Sequence, residues 1–88
     1  MLTRYWITFD QSDRVLLTRF SLGLGVGVTA FDEADAMNLV RDSLRTDALP
    51  RVDQITADVR IGSLERDHVL KNLGNPGVRG VWYPALNL

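Results

Sequence analysis

Cysteine is absent from this 88-residue sequence, so disulfide staples, thiolate nucleophiles and cysteine-ligated zinc or iron sites are excluded. Histidine occurs once, at His68, which leaves no second imidazole to complete an imidazole-rich metal site. No run approaches the roughly 18 apolar residues needed to span a bilayer. The start, MLTRYWITFD, lacks a basic region followed by an apolar stretch of signal-peptide length, and without an export signal the chain reads as cytoplasmic. Net charge is nearly missing too: a formal −1 creates no large field, so neither nucleic acid nor a membrane is expected as partner. Lysine appears once, at Lys71, beside nine arginines, and glutamate only at Glu33 and Glu65, a bias that reflects genome composition rather than chemistry.

What is present is a globular composition, 45% hydrophobic and 24% charged, which also argues against disorder. A chain of this length forms a single domain, residues 1–88, burying about 60–65% of its unfolded surface. A core that small makes a stabilising partner plausible on energetic grounds.

The stretch Phe20 to Phe31 organises the pattern. Phe20, Leu22, Leu24, Val26, Val28 and Ala30 share one parity, and Ser21, Gly23, Gly25 and Gly27 the other, which predicts a strand with one apolar face and one nearly bare face. The bare face suits a bend, or the close approach of a neighbouring element, a partner chain or a ligand. An earlier strand is predicted over Thr3–Asp10, with Tyr5, Ile7 and Phe9 on one face and Arg4, Trp6 and Thr8 on the other. Asp10, Gln11, Ser12 and Asp13 supply a turn, so these two strands are expected to form an antiparallel hairpin. Parity alone lets the second strand start at Arg14, but a strand from there to Thr29 would span about 50 Å, so it must bend or break, most cheaply at the glycines.

At Phe31 the period changes. Asp32 followed by Asp35 predicts a helix N-cap, and Phe31 with Ala36 a hydrophobic staple. Ala36, Met37, Leu39, Val40 and Leu44 share one side of a helix that should end before Pro50. Ile55, Ala57, Val59 and Ile61 alternate as a third strand closed by Gly62. Ser63 then caps a short helix running through Leu64, Val69, Leu70 and Leu73 and stopped by Gly74. Asn75, Pro76 and Gly77 make a turn, Gly80 permits tight strand packing, and Val78–Tyr83 is the last strand, halted by Pro84.

The fold class expected is therefore α+β, in the order β-β-α-β-(short α)-β, with one mainly antiparallel or mixed sheet and one helix across a face. That order resembles ubiquitin and its β-grasp relatives, minus one short strand, and the resemblance implies first and last strands side by side at the centre of the sheet. A ferredoxin-like or other split α+β arrangement is the alternative. The segments GVGVTAFDEADA, residues 25–36, and NLGNPGVRGVWYP, residues 72–84, are similar to a group of short uncharacterised bacterial proteins, a resemblance that implies no catalytic residues.

Several residues invite chemical readings. Gly23, Gly25 and Gly27 are spaced wrongly for a dinucleotide fingerprint, because Val28 stands three positions after Gly25, and no Lys-Ser/Thr pair follows for a phosphate loop. Glu65, Asp67 and His68 cluster two carboxylates with the histidine, but read best as the solvated first turn of the short helix. Ser63 reads as a cap rather than a nucleophile. Catalytic, metal and cofactor sites are accordingly expected to be none. The candidate partner interface is the set Gly23, Gly25, Gly27, Arg79, Trp82 and Tyr83, in which Trp82 and Tyr83 serve either the core or, if exposed, a binding patch. The functional expectation is a non-enzymatic protein-interaction module, in a sharper version ubiquitin-like, that binds a protein partner through a sheet face or its C-terminal tail. Its alternative is a self-associating structural subunit. The tail, PALNL, departs from a diglycine conjugation signal, since the last glycine is Gly80, inside the predicted strand.

Overall fold

The tight turn at Asp10–Asp13 leads into a helix, not a second strand. In the computed structural model, which describes residues 1–20, 22–64, 69 and 73–84, strand β1 (Thr3–Phe9) is followed by helix α1 (Arg14–Phe20) and only then by strand β2 (Val26–Ala30). Asp13 caps α1 by accepting from the Leu16 amide at 3.1 Å, while its carbonyl accepts from the Leu17 amide. This corrects the expected strand from Arg14. Leu17 is the side chain that α1 buries, and Val15 is left 77% exposed. The chain returns through Leu22, whose amide donates to the Leu17 carbonyl, and Leu24 is exposed. The shared parity of Phe20, Leu22 and Leu24 with Val26 and Val28 is thus a coincidence of two structures, a helix end and a strand.

β1 and β2 are antiparallel neighbours, pairing Tyr5 with Val28 and Ile7 with Val26, although a helix rather than a hairpin turn joins them. Helix α2 (Glu33–Leu44) begins as expected, with the Asp32 carboxylate accepting from the Asp35 amide at 2.8 Å. It ends earlier than Pro50 requires, because Arg45 enters the left-handed region at φ 54° and Thr46 donates back to the Arg41 carbonyl. Strand β3 (Val52–Ala57) then pairs antiparallel with the other edge of β1, and strand β4 (Gly80–Tyr83) pairs antiparallel with β2. The sheet order is β3-β1-β2-β4.

The α+β class, with a helix packed across one face of an antiparallel sheet, stands. First and last strands are not neighbours, since β2 lies between them, which corrects the adjacency implied by the β-grasp resemblance. The third strand is also displaced: Asp58 adopts φ 54° and ends it, so Ile55 packs into the core under the helices while Val59 and Ile61 pack on the opposite face. One left-handed residue moves the chain across the sheet and resets the parity. Ser63 closes a 3-10 turn, Ile61–Ser63, its hydroxyl donating to the Arg60 carbonyl at 2.7 Å. The expected helix beyond it, including Glu65, Asp67, His68 and Leu70, lies outside the described residues, as does the tail after Pro84. The Asn75–Gly77 turn forms, with the Asn75 side chain accepting from the Gly77 amide at 2.9 Å. Gly80 is needed for its backbone, φ 140°, and not for close packing, because a Cβ there meets nothing within 4 Å.

Two cores result. Tyr5, Ile7, Phe9, Leu17, Leu22, Val26, Val28, Ala30, Ala36 and Val40 fill the side under the helices. Val69, Trp82 and Tyr83, with Trp6, Val59, Ile61, Leu64 and Leu73 packed against them, fill the other. Among the described residues no helix is long and apolar enough to cross a membrane.

Candidate functional site

The bare face of β2 is occupied from within the chain. A Cβ on Gly27 would collide with the Trp82 ring, and one on Gly25 would lie 2.8 Å from the Ile7 carbonyl oxygen and 3.0 Å from the Trp6 ring. Gly25 also sits at φ 117°, where L side chains are strained. Between β2 and β4 the register shifts: Gly27 faces Tyr83 and Val28 faces Val81, which leaves Trp82 as the extra residue of a β-bulge. The bulge explains how two successive residues turn to one side. Trp6 lies 5.9 Å from the ring of Trp82 and 5.5 Å from that of Tyr83, both tilted contacts.

Trp82 is 1% exposed and Tyr83 is 7% exposed. Of the candidate interface, then, Gly25, Gly27, Trp82 and Tyr83 are brought together as core, so of the two readings of Trp82 and Tyr83 the structure takes the core one. The Trp82 indole N–H has no acceptor among the described residues, so ring packing on a glycine floor is what holds it. Gly23 is exposed and apart from them, in the turn before β2.

Arg79 is the candidate side chain that remains on the surface. Its Nε donates to one oxygen of Asp35 at 3.0 Å and a terminal nitrogen donates to the other, a two-pronged charge-assisted pair. The Asp35 oxygen that takes Nε also accepts from the Phe31 amide at 3.0 Å. The Arg79 hydrogen bonds and then this amide hold the Asp35 carboxyl down at about 2, and Asp35 in turn pushes the Arg79 guanidinium up.

The guanidinium stands 5.4 Å from the centre of the Phe31 ring. Phe31 is 60% exposed, so it is not the buried staple expected against Ala36. The β2–β4 register pairs Thr29 with Gly80; two residues further along each chain come Phe31 and Val78, and Val78 is 58% exposed. Sequence reasoning found Arg79 but missed Phe31, Asp35 and Val78 as its companions. Phe31 carried a signal, lying past the last strand residue and before the helix cap, outside both apolar patterns. The Arg79–Asp35 contact spans 44 residues and has no sequence signal.

Among the described residues no group of three or more His, Cys, Asp or Glu side chains is placed to hold a metal ion. No family model, curated protein or solved structure matches the chain.

Proposed function

We propose that the chain is a non-enzymatic protein-interaction module whose docking surface is the Phe31–Val78–Arg79 patch beside the start of α2. One observation carries this reading: an arginine fixed by a two-pronged carboxylate pair lies over a mostly exposed phenylalanine, and the residue before the arginine in the chain is the exposed Val78. Aromatic residues and arginine supply most interface hot spots. Here the arginine's conformational freedom is already restricted by Asp35, which lowers the ordering cost of association. The patch replaces Trp82 and Tyr83 as the recognition element and retains Arg79.

The test is affinity capture from the source cell with wild type, Phe31→Ser and Arg79→Ala, each first checked for retained cooperative unfolding. A partner captured by wild type and lost with both variants supports the patch. Capture that is indifferent to both contradicts it. The second reading, a self-associating subunit, rests on β3, an exposed strand at the end of the sheet order with no neighbour on its outer side among the described residues. Light scattering that shows mass rising with concentration would favour that reading, and a constant monomer mass would remove it.

A further inference from the structure

We propose that the cleft between the start of β1 and the loop after β3 binds a small organic anion, a phosphate or carboxylate that also carries a hydroxyl or amine donor, through Arg4 and Arg60. The cleft measures about 340 Å³ and is lined by Arg4, Arg60, Asp58, Thr29, Leu2 and Pro76, among others. That volume suits a small molecule.

Its walls are tied together by backbone. The Val59 amide donates to the Arg4 carbonyl at 3.2 Å, and the left-handed Asp58 turns the chain so that residues 58 to 60 all line the opening. The Pro76 carbonyl accepts from the Thr29 hydroxyl at 2.7 Å and from Arg4 Nε at 3.3 Å. Thr29 is 2% exposed, so this carbonyl is anchored to a buried side chain and in turn restrains the Arg4 guanidinium.

The electrostatics separate these arginines from Arg79. Arg79 is neutralised by Asp35, whereas neither Arg4 nor Arg60 has an ion-pair partner among the described residues, although Asp58 lines the same cleft. Two guanidiniums and one carboxylate leave the cleft at +1, on a chain whose formal charge is −1. Concave, locally positive surfaces concentrate anions, and arginine forks match phosphate and carboxylate oxygens. Asp58 accepts hydrogen bonds only, so it rejects a bare anion and welcomes a donor next to the anionic group. Leu2 and Pro76 offer apolar contact to a short carbon skeleton.

The experiment is amide NMR titration of the full chain with inorganic phosphate, glycerol phosphate and lactate. Saturable shifts at the Val59, Arg60 and Gly77 amides are expected at millimolar concentrations of an organic anion, with glycerol phosphate bound more tightly than inorganic phosphate. A preference for lactate over glycerol phosphate would assign the anion as carboxylate. Arg60 is exposed, so Arg60→Gln should keep the unfolding curve and weaken binding about tenfold or more, and Arg60→Lys should restore part of it. Absence of saturable shifts with all three probes, or an affinity unmoved by Arg60→Gln, would overturn the proposal.

Discussion

The two faces of the sheet are built by different rules. Under the helices, side chains of ordinary size interdigitate: Tyr5, Ile7, Phe9, Val26, Val28 and Val40 each fill a share of the volume. On the opposite face Gly25 and Gly27 present no side chain, and the indoles of Trp6 and Trp82 lie against them. The first arrangement tolerates the loss of a methyl group because many neighbours share the site. The second depends on two absences, and adding a single carbon at Gly27 is the more damaging change.

The largest effect is accordingly expected from Gly27→Val. β2 is buried along its whole length with strands on both sides, so neither backbone nor ring can retreat, and loss of cooperative thermal unfolding is the predicted result. Retention of a sharp transition would show that the Trp82 ring can move aside for the added side chain. Val40→Ala, on the helix-side face, is expected to cost only about 2 kcal/mol in denaturant unfolding.

Smaller effects fall outside both cores. Asp35 has its pKa lowered from an ordinary 3.8 to about 2, so its pairing stabilises the fold above the ordinary value and is lost as pH falls through the folded one. Stability should therefore fall between about pH 4 and pH 2. Arg79→Gln should make that fall shallower while leaving the neutral-pH fluorescence of Trp6 and Trp82 unchanged. At Arg45, which holds φ 54° as a non-glycine, Arg45→Gly should raise stability by about 0.5–1 kcal/mol, read as a higher denaturation midpoint.

Legibility in the sequence followed the same division. The helix-side face was readable because periodicity reports it directly: Tyr5, Ile7 and Phe9 alternate, and Asp32 announces α2 at the correct residue. The Asn75–Gly77 turn was readable from its residue types. Helix α1 was hidden because Phe20 and Leu22 continue the parity of the following strand, although Leu16, Leu17 and Phe20 have helical spacing behind the Asp13 cap. Asp58 was hidden for a different reason, since a left-handed turn at aspartate leaves the alternation from Ile55 to Ile61 intact on paper while splitting it between two faces. The sequence shows the bare glycine face but leaves a bend, a packed neighbour, a partner or a ligand equally open. Its occupant could not be read, because the bulge that turns Trp82 and Tyr83 the same way is a property of strand pairing rather than of either segment. The Phe31–Arg79–Asp35 patch and the Arg4–Arg60 cleft are likewise products of long-range placement.

Gly27 is glycine because Trp82 lies on it, and a double-mutant cycle between Gly27→Ala and Trp82→Leu measures that dependence. Gly27→Ala should be strongly destabilising in the wild-type chain and much less so when the indole is gone, with a coupling of about 1–3 kcal/mol. Additive effects, with Gly27→Ala costing the same beside leucine as beside tryptophan, would contradict it.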